Sequence, residues 1–225
     1  MDREQLLAVY NVRRDRIKSR LGEFTRFYNE PVSWFYEEKS MVLKPVDRDH
    51  NERIFEELCF CLMTANTSAE MGLKGVDGIR KILFTGSLED IQLALADAGY
   101  RYPNKRAEYI IEARERFSDV RELVESHEDK KKLREHLAEN VKGLGYKEAS
   151  HFLRNIGVFG LAILDKHILR TMHEHGVIEG LPKSLNRKNY LDIEEKFIKF
   201  ADELEINMDE LDLLLWSMKN GRILK

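Results

Sequence analysis

The sequence predicts a mainly α-helical protein, and three observations support this fold class. Apolar residues recur at helical spacing through most of the chain. Ser, Thr or Asn residues stand three positions before acidic residues, which is the spacing of a capping box. Proline is rare, with 4 residues among 225, whereas the 13 glycines stand mostly between the periodic segments. We therefore expect helices joined by short turns.

Residues 1–45 differ from the rest of the chain, because aromatic side chains crowd between Gly22 and Pro45 without a clear period. These side chains are Phe24, Phe27, Tyr28, Trp34, Phe35 and Tyr36. The segment predicts a helix followed by extended chain that packs over the helical body. Such aromatic density is more typical of a core than of a ligand platform, so we assign it no chemistry.

The segment that follows is expected to consist of short helices. Capping boxes pair Thr67 with Glu70 and Ser87 with Asp90, and each predicts a helix start. Pro103 stands where a further helix has its first turn. One helical face is apolar and is expected in the core; it consists of Ile54, Phe55, Leu58, Cys59 and Leu62.

The C-terminal segment predicts two longer helices. A capping box of Asn207 and Glu210 begins the second of them. The apolar faces of the two helices are Ile193, Phe197, Phe200 and Leu204, and then Leu211, Leu214, Leu215 and Met218. Helix ends with a left-handed glycine are expected at Gly99, Gly157, Gly176 and Gly221.

Composition excludes several classes of protein. The 37 Lys and Arg residues nearly balance the 40 Asp and Glu residues, so the net charge of −3 indicates neither a nucleic-acid protein nor a disordered one. Cys59 and Cys61 are too few for a disulfide scaffold, a four-cysteine zinc site or a four-cysteine iron–sulfur cluster, and we expect both in the core. His173 and His175 point to different sides of a helix, so they do not form a metal site.

The sequence also carries no signal for export or for a membrane. Acidic and basic residues occupy the first few positions, with no apolar signal segment behind them. Nowhere do about 18 uncharged apolar residues run together. We therefore expect a protein that neither leaves the cytoplasm nor spans a membrane.

The segment from Asp129 to Gly176 carries the chemical signals. A charged helix, the turn VKGLGY, a second helix and the apolar link VFGLAIL lead to Asp165. Gly143 and Gly145 let backbone N–H groups converge at the start of the second helix, where a phosphate oxygen can bind. A G-x-G turn by itself is more often an ordinary helix connection, and the missing third glycine disfavours a dinucleotide site.

The charges around this turn favour the phosphate interpretation. Residues 129–155 hold seven basic and four acidic side chains inside an acidic chain. Arg101, Lys105 and Arg106 form another basic group at a helix start, where positive charge opposes the helix dipole. A phosphate-facing surface is predicted, although solvated surface charge is the default for each residue taken singly.

This combination resembles the base-excision DNA glycosylase superfamily. KGLGYKEASHFLRNIG followed by LAILDKHILR is similar to its helix-hairpin-helix, its Gly/Pro-rich loop and its aspartate. Lys147 matches the nucleophile of bifunctional members, and Asp165, 18 residues later, matches the aspartate. Ile163 and Leu164 replace the Gly-Pro that often precedes this aspartate. The chain is most similar to the archaeal and thermophile type-2 8-oxoguanine DNA glycosylases, since it is short, lacks cluster-binding cysteines and ends in a lysine soon after a Trp-bearing helix.

The resemblance implies a two-subdomain α-helical helix-hairpin-helix DNA glycosylase fold without an iron–sulfur cluster, with a cleft between the subdomains. It implies a bifunctional DNA glycosylase/AP lyase of base excision repair that excises 8-oxoguanine from duplex DNA. We expect no cofactor, no metal, a monomer, and a cytoplasmic, nucleoid-associated protein. The expected segments are 1–45, packing on the helical body; 46–127, a helical subdomain; 128–176, the helix-hairpin-helix with the catalytic loop; and 177–225, the helices that close the base pocket.

The resemblance assigns the chemistry to two residues. A lysine amine that attacks a sugar must be neutral, and burial with basic neighbours would favour that form of Lys147; the alternative is a surface lysine. Asp165 at a helix start would stay ionised, and would stabilise positive charge on the sugar or help to deprotonate the lysine. A simple N-cap is the alternative for Asp165, and the two roles are compatible.

The base pocket is expected at the last helix. Asp212 and Trp216 are four residues apart and off the apolar stripe, so they suit hydrogen bonding to a flipped base and stacking on it. Trp216 as a cover over a neighbouring helix is the alternative. Lys225, the last residue of the sequence, would add an ammonium or a carboxylate to the pocket. An acceptor facing N7 would discriminate 8-oxoguanine from guanine.

Further residues are expected to contact DNA outside the pocket. Gly143, Gly145 and Lys142 would bind phosphate. Asn66 would fill the gap left by the extruded base, its alternative being a helix-entry residue, and Tyr102 is a second candidate wedge.

Two other functions compete with this reading. A non-catalytic helix-hairpin-helix module that binds DNA would need the glycines and the basic residues but neither Lys147 nor Asp165. A glycosylase for alkylated bases would use the aspartate without a lysine nucleophile, and the presence of Lys147 argues against it.

Overall fold

The prediction of a mainly α-helical chain is confirmed. The computed structural model describes residues 3–38, 40–117 and 119–225, with the backbone alone at Asn220. In chain order, the described elements are α1 (Arg3–Asn29), β1 (Val32–Glu37), β2 (Ser40–Pro45), α2 (His50–Thr64), α3 (Ala69–Ile79), α4 (Leu88–Asp97), α5 (Pro103–Arg116), α6 (Val120–Glu125), α7 (Lys130–Asn140), α8 (Tyr146–Asn155), α9 (Lys166–Glu174), α10 (Arg187–Glu203) and α11 (Met208–Asn220).

The N-terminal segment is a long helix followed by extended chain, as predicted, and the extended part is a β-hairpin. Strands β1 and β2 pair antiparallel, from Val32 opposite Pro45 to Glu37 opposite Ser40. The hairpin was not predicted, because its turn holds none of the Asn-Gly or Asp-Gly pairs that mark tight hairpins. Of its aromatic side chains, Trp34 is core, with its ring centroid 5.7 Å from that of Phe24, whereas Phe35 and Tyr36 are half-buried.

Helix α2 forms the centre of the protein. All of its residues from Arg53 to Thr64 are buried, because it packs against α3, α5, α6 and α8. Its apolar face therefore lies in the core as predicted, and so do Glu56 and Glu57 on its other sides. Cys59 and Cys61 are fully buried, and burial raises the pKa of both thiols well above the ordinary value. These cysteines are structural, as predicted.

The predicted helix caps are confirmed at some positions and wrong by one residue at another. Ser87 and Asp90 form both hydrogen bonds of the predicted capping box at α4. The box predicted at Thr67 is wrong by one position, because Ser68 caps α3 while the Thr67 hydroxyl donates to the carbonyl of Met63. The predicted glycine helix ends are confirmed, with positive φ at Gly99, Gly157, Gly176 and Gly221. Pro103 begins α5 as predicted.

Helix α1 packs against the far end of the chain. The Tyr10 hydroxyl donates to the carboxylate of Glu210 on α11, and a guanidinium nitrogen of Arg13 donates to Ser217 Oγ at 2.7 Å. Asn207 caps α11 as predicted, but Glu210 contacts α1 instead of completing a capping box. The first and last helices are therefore direct neighbours.

A fully buried ion pair joins α7 to α10. The Arg134 and Glu194 side chains are 1% and 2% exposed, and Nη2 of Arg134 lies 2.8 Å from Oε2 of Glu194. Arg134 also contacts Ser150 Oγ at 3.3 Å. Both ions have lost their water, so each depends on its partner for stabilisation.

We expect Glu194→Gln to lower the free energy of unfolding by about 3–5 kcal/mol, because it leaves the Arg134 charge buried without a counter-ion. Urea unfolding measures the difference. Asp192→Asn on the same helix is the matched control, since the Asp192–Lys196 pair is 61% and 47% exposed and should change stability by less than about 1 kcal/mol. Equal losses in the two variants would contradict the expectation.

No helix among the described residues is long and apolar enough to cross a membrane. Within the same residues, no cluster of three or more His, Cys, Asp or Glu side chains is arranged to hold a metal ion.

Candidate active site

A cavity of about 570 Å³ lies between the C-terminal end of α2 and the helices α8, α9 and α11. Thr64 and Asn66 line one side of the cavity. The other sides are formed by the first turns of α8 and α9, by α11 and by the last residues of the sequence. Lys147, Asp165 and Trp216 all line this cavity. The structure thus brings together three residues that are widely separated in sequence.

Lys147 occupies the first turn of α8, directly after the turn of the hairpin. Its side chain is 25% exposed, and its Nζ lies 3.2 Å from Oε1 of Glu148. The nearest charged partner of Lys147 is thus an acid, although the basic side chains of Arg154, Lys166 and Lys219 line the same cavity. Sequence analysis missed Glu148, although adjacent positions in a first turn can meet through long side chains.

Asp165 is the N-cap of α9. Its Oδ1 accepts hydrogen bonds from the backbone N–H groups of His167 and Ile168, both at 2.8 Å. The N-cap interpretation is confirmed. Because the two bonds use the same oxygen, the cap does not involve Oδ2, and the carboxylate is half-buried at the cavity wall. A second role for Asp165 is compatible with this geometry.

Trp216 lies half-buried in the cavity wall. The Nζ of Lys219 is 5.2 Å from its ring centroid, and the ring of His167 meets it edge-on at 5.8 Å between centroids. His167 is held in turn by a 2.8 Å hydrogen bond between Nε2 and the carbonyl of Leu215. A flat aromatic face backed by fixed neighbours is suited to stacking on a planar base.

Asp212 does not line the cavity. It is buried and ion-paired with Arg154 of α8, while its Oδ1 has no hydrogen-bond partner. Burial raises the pKa of Asp212 to about 7, although Arg154 opposes this shift. The expectation that Asp212 shares a side with Trp216 fails because α11 is packed on nearly all sides, so residues one turn apart contact different elements.

Lys225 lines the cavity, but its ammonium points away into the core. Its Nζ pairs with Glu57 of α2 and lies 4.1 Å from the ring centroid of Phe60. Burial lowers the pKa of Lys225, and Glu57 opposes the shift. The backbone of Lys225 hydrogen-bonds to His151. The ammonium and the carboxylate of Lys225 were both candidates for the base pocket. The ammonium is instead bound by Glu57 in the core.

His151 is a cavity residue that sequence analysis missed. It is buried, lines the cavity and packs edge-on against Phe60. Burial lowers the pKa of His151 well below its usual value, and the nearby cations of Arg154 and Lys147 add to the shift. The imidazole is thus neutral at neutral pH. The signal was present in the sequence, because His151 follows Lys147 by four positions and shares its helix face.

A buried polar chain runs behind the cavity. Arg154 pairs with Asp212 and also donates to Oδ1 of Asn155, and the Asn155 amide donates to Oε1 of Glu57 at 2.7 Å. Glu57 then accepts from Lys225 through its other oxygen. These contacts connect α11, α8, α2 and the last residue, so the back wall of the cavity is a single hydrogen-bonded unit.

The turn between α7 and α8 holds the two glycines of the predicted phosphate site. Gly143 has φ of +88°, and a Cβ there would lie 2.4 Å from the ring of Tyr109, so only glycine fits. Gly145 is the N-cap of α8 and supplies no side-chain hydrogen bond to its first N–H groups, and a Cβ at Gly145 would lie 3.3 Å from Oε2 of Glu148. Lys142 beside the turn pairs with Glu112 at 3.0 Å, in an exposed contact that contributes little stability.

The basic surface is smaller than the sequence count suggested. Arg134 and Arg154 are buried in ion pairs, so two of the seven basic residues of the hairpin cannot face a phosphate. Arg106 is also buried, and it donates to the carbonyl of Ala65 at 2.8 Å. Charge alone did not distinguish these structural arginines from the exposed lysines.

The two candidate wedge residues lie in different places. Asn66 is exposed at the cavity, in a left-handed conformation with φ of +62°. Asparagine tolerates this conformation better than most residues. Tyr102 is the N-cap of α5, with the guanidinium of Arg101 at 5.1 Å from its ring centroid, and is not among the residues that line the cavity.

The chain is similar to known proteins over most of its length. The family model described as 8-oxoguanine DNA glycosylase matches residues 36–206. A protein of Korarchaeum cryptofilum named 8-oxoguanine DNA glycosylase/AP lyase is 49% identical over 175 residues, which cover 78% of this chain and 84% of that protein. One of the same name from Methanocaldococcus jannaschii is 41% identical, over 88% of this chain and 95% of its own length.

Solved structures agree with these relatives. The crystal structure of the Methanocaldococcus jannaschii 8-oxoguanine DNA glycosylase has a TM-score of 0.84 and 40% identity, covering 99% of this chain and 95% of that chain. The crystal structure of the enzyme from the same organism in complex with a 15mer DNA containing 8-oxoguanine also has a TM-score of 0.84, with 38% identity, covering 98% of this chain and all of that one. The likeness thus extends over the whole fold.

Proposed function

The chain belongs to the 8-oxoguanine DNA glycosylase family, and we propose that it excises 8-oxoguanine from duplex DNA and then cleaves the strand, with Lys147 as nucleophile. The observation that carries the residue assignment is the shared cavity: an amine, a carboxylate and an aromatic ring line one space of about 570 Å³. That volume is within the range of small-molecule pockets and is sufficient for one extruded base.

The reaction begins when the Lys147 amine bonds to the sugar C1′ while the bond from C1′ to the base breaks, with the electron pair leaving on the base. Opening of the sugar ring gives a Schiff base between Nζ and C1′. Loss of a C2′ proton then expels the 3′ phosphate and cleaves the strand. The ammonium must lose a proton before the first step, and the neighbouring Glu148 supports this step as a proton acceptor at 3.2 Å.

Asp165 stabilises the positive charge that develops on the sugar as the base departs. Its Oδ1 is held by two backbone N–H groups, which fix the direction of the carboxylate. Its Oδ2 is the oxygen that faces the reaction. The residue thus acts as a cap and as an electrostatic catalyst at once.

The base is held between Trp216 and the Lys225 side of the cavity. Trp216 stacks on the base, and the backbone of Lys225 supplies the acceptor that distinguishes 8-oxoguanine from guanine at N7. Asp212 acts on this pocket through Arg154 rather than by contact with the base. His151 orients the Lys225 backbone through its hydrogen bond.

DNA approaches the cavity mouth along the hairpin. Gly143, Gly145 and Lys142 bind the phosphate backbone, and Asn66 fills the gap that the extruded base leaves in the duplex. Tyr102 is the weaker candidate, because the cavity lining includes Asn66 and not Tyr102. We further propose that the protein acts as a monomer on the nucleoid in the cytoplasm, and that the cavity separates segment 46–127 from segments 128–176 and 177–225.

Borohydride reduction with an 8-oxoguanine duplex tests the proposed function. Borohydride reduces the carbon–nitrogen double bond of the Schiff base and leaves the protein covalently attached to DNA. A stable adduct, with release of 8-oxoguanine, is the expected result. Binding of duplex without an adduct or base release would favour a non-catalytic helix-hairpin-helix module instead.

Deletion of Lys225 should lower 8-oxoguanine excision more than it lowers cleavage at a preformed abasic site, where no base has to be recognised. Both rates are measured in one preparation, so their ratio cancels errors in the active fraction. Lys196→Ala, at an exposed ion pair on α10, is the control and should leave the ratio unchanged. If both activities of the deletion variant fall together, Lys225 supports the fold and does not read the base.

A further inference from the structure

The segment that leads to Asp165 has no helix or strand of its own. Residues 157–165 connect α8 to α9 as irregular chain, yet Leu161, Ala162 and Leu164 in it are buried. Buried backbone groups must find hydrogen-bond partners, and an irregular segment cannot supply them all locally. The partners of this loop therefore decide where Asp165 lies.

Two side chains of α10 supply those partners. Glu194 Oε1 accepts from the Ala162 N–H at 2.9 Å. The Tyr190 hydroxyl donates to the Ala162 carbonyl at 2.6 Å and accepts from the Leu164 N–H at 3.3 Å. The Tyr190 hydroxyl thus bridges two backbone groups on either side of Ile163, immediately before the catalytic aspartate.

The side chains that hold the loop are themselves fixed. Tyr190 and Glu194 are 1% and 2% exposed, and Glu194 is paired with Arg134 of α7. The Arg134 guanidinium lies 5.4 Å from the Tyr190 ring centroid and 5.2 Å from that of Tyr146, the residue before Lys147. One cluster around Arg134 therefore contacts the residues that precede both reacting side chains.

The local sequence explains why such support is needed. Neither Ile163 nor Leu164 has its φ fixed by a ring, whereas a Gly-Pro pair would bring a fixed φ into the loop. Other hydrogen bonds hold the same segment: the Asp165 N–H donates to the Ile163 carbonyl at 3.0 Å, the Gly160 N–H donates to Asp209 at 2.9 Å, and Lys130 donates to the Phe159 carbonyl at 2.8 Å. None of these bonds is made by Ala162 or Leu164. Without the Tyr190 hydroxyl, the Ala162 carbonyl and the Leu164 N–H would both lose their partner, and the loop could shift to find others.

We propose that Tyr190 is a positioning residue that sets the placement of the Asp165 carboxylate through its hydroxyl. The inference rests on the proposed role of Asp165 in base excision. A displacement of about 1 Å at a group that must face a developing charge is sufficient to cost up to about 100-fold in rate. Tyr190 lines the cavity, but its hydroxyl is hydrogen-bonded to the loop, so it acts through the loop backbone and needs no contact with the reacting atoms.

The test is Tyr190→Phe, which removes the hydroxyl and keeps the ring that packs on Arg134 and Tyr146. Two rates are measured under single-turnover conditions: release of 8-oxoguanine, and formation of the borohydride-trapped adduct at a preformed abasic site. We expect base release to fall by about tenfold or more, while adduct formation stays within about threefold. The trapping step needs the Lys147 amine but no departure of a base, so it depends less on Asp165.

The ratio of the two rates separates positioning from simple loss of structure. A merely structural role of Tyr190 would lower both rates together, by the fraction of misfolded protein, and would leave the ratio within threefold of wild type; that result would overturn the proposal. Tyr10→Phe is the matched control, because it also removes a tyrosine hydroxyl that is hydrogen-bonded to another part of the chain, but away from the cavity, and should keep the wild-type ratio. A wild-type protein that neither releases the base nor forms an adduct would instead remove the proposed function.

Discussion

Lys147→Gln should abolish both the borohydride-trapped adduct and strand cleavage, while duplex binding stays within about tenfold of wild type. The amide of glutamine cannot form a Schiff base, so the covalent step has no nucleophile. Affinity persists because phosphate contacts supply most of it, and these come from the hairpin turn and not from the amine. Adduct yield on gels and fluorescence anisotropy with a labelled duplex measure the two quantities.

Lys132→Gln is the matched control for this variant. Lys132 is exposed on α7, outside the residues that line the cavity, and its replacement also removes one positive charge from the hairpin. Its adduct yield should equal that of wild type. A trapped adduct of undiminished yield from the Lys147 variant would transfer the nucleophile to another amine, with Lys166 and Lys219 the candidates because both line the cavity.

Asp165→Asn should lower the rate of 8-oxoguanine release by two orders of magnitude or more, with little loss of stability. An amide oxygen still accepts the two N–H bonds of the cap, but a neutral amide cannot stabilise positive charge on the sugar. The comparison of the single-turnover rate with the melting temperature separates the two roles. Near-normal turnover would reduce Asp165 to a cap.

Asp129→Asn provides the control with the same local geometry. Asp129 caps α7 and its Oδ1 also accepts from two backbone N–H groups, at 2.8 and 3.4 Å, but it lies outside the cavity lining. Its replacement should change the melting temperature about as much as Asp165→Asn does, and should leave base release unchanged. A loss of activity in both variants would indicate that intact caps, not charge at the cavity, govern the rate.

Local signals in the sequence were sufficient to predict the helices and the N-cap position of Asp165. The hydrophobic periods, the box at Ser87 and Asp90, and the glycine helix ends depend on neighbours within a few positions, and all of them are found in the structure. Lys147 and Asp165 lie close to a hairpin whose turn chemistry is also local. Such features depend only on residues nearby in the sequence, so they can be predicted from one sequence.

The partners of buried charges could not be predicted in this way. The Arg154–Asp212 pair joins residues 58 positions apart, and the Lys225–Glu57 pair joins residues 168 positions apart. Nothing near any of these four residues indicates its partner, because the contact exists only after the helices pack. For the same reason the sequence placed Asp212 in the pocket, and the structure places it behind the wall.

The contact between α1 and α11 has a consequence for how the chain acquires its structure. Tyr10 meets a residue 200 positions later, and Arg13 one 204 positions later, so these contacts close a loop of nearly the whole chain. Loops of this length are slow to close, and α1 leaves the ribosome long before α11 is made. During synthesis, the side of α1 that packs against α11 therefore stays without its partner until α11 has been made. The cavity that holds Lys147 and Asp165 has α11 in its wall, so it is among the last parts of the protein to form.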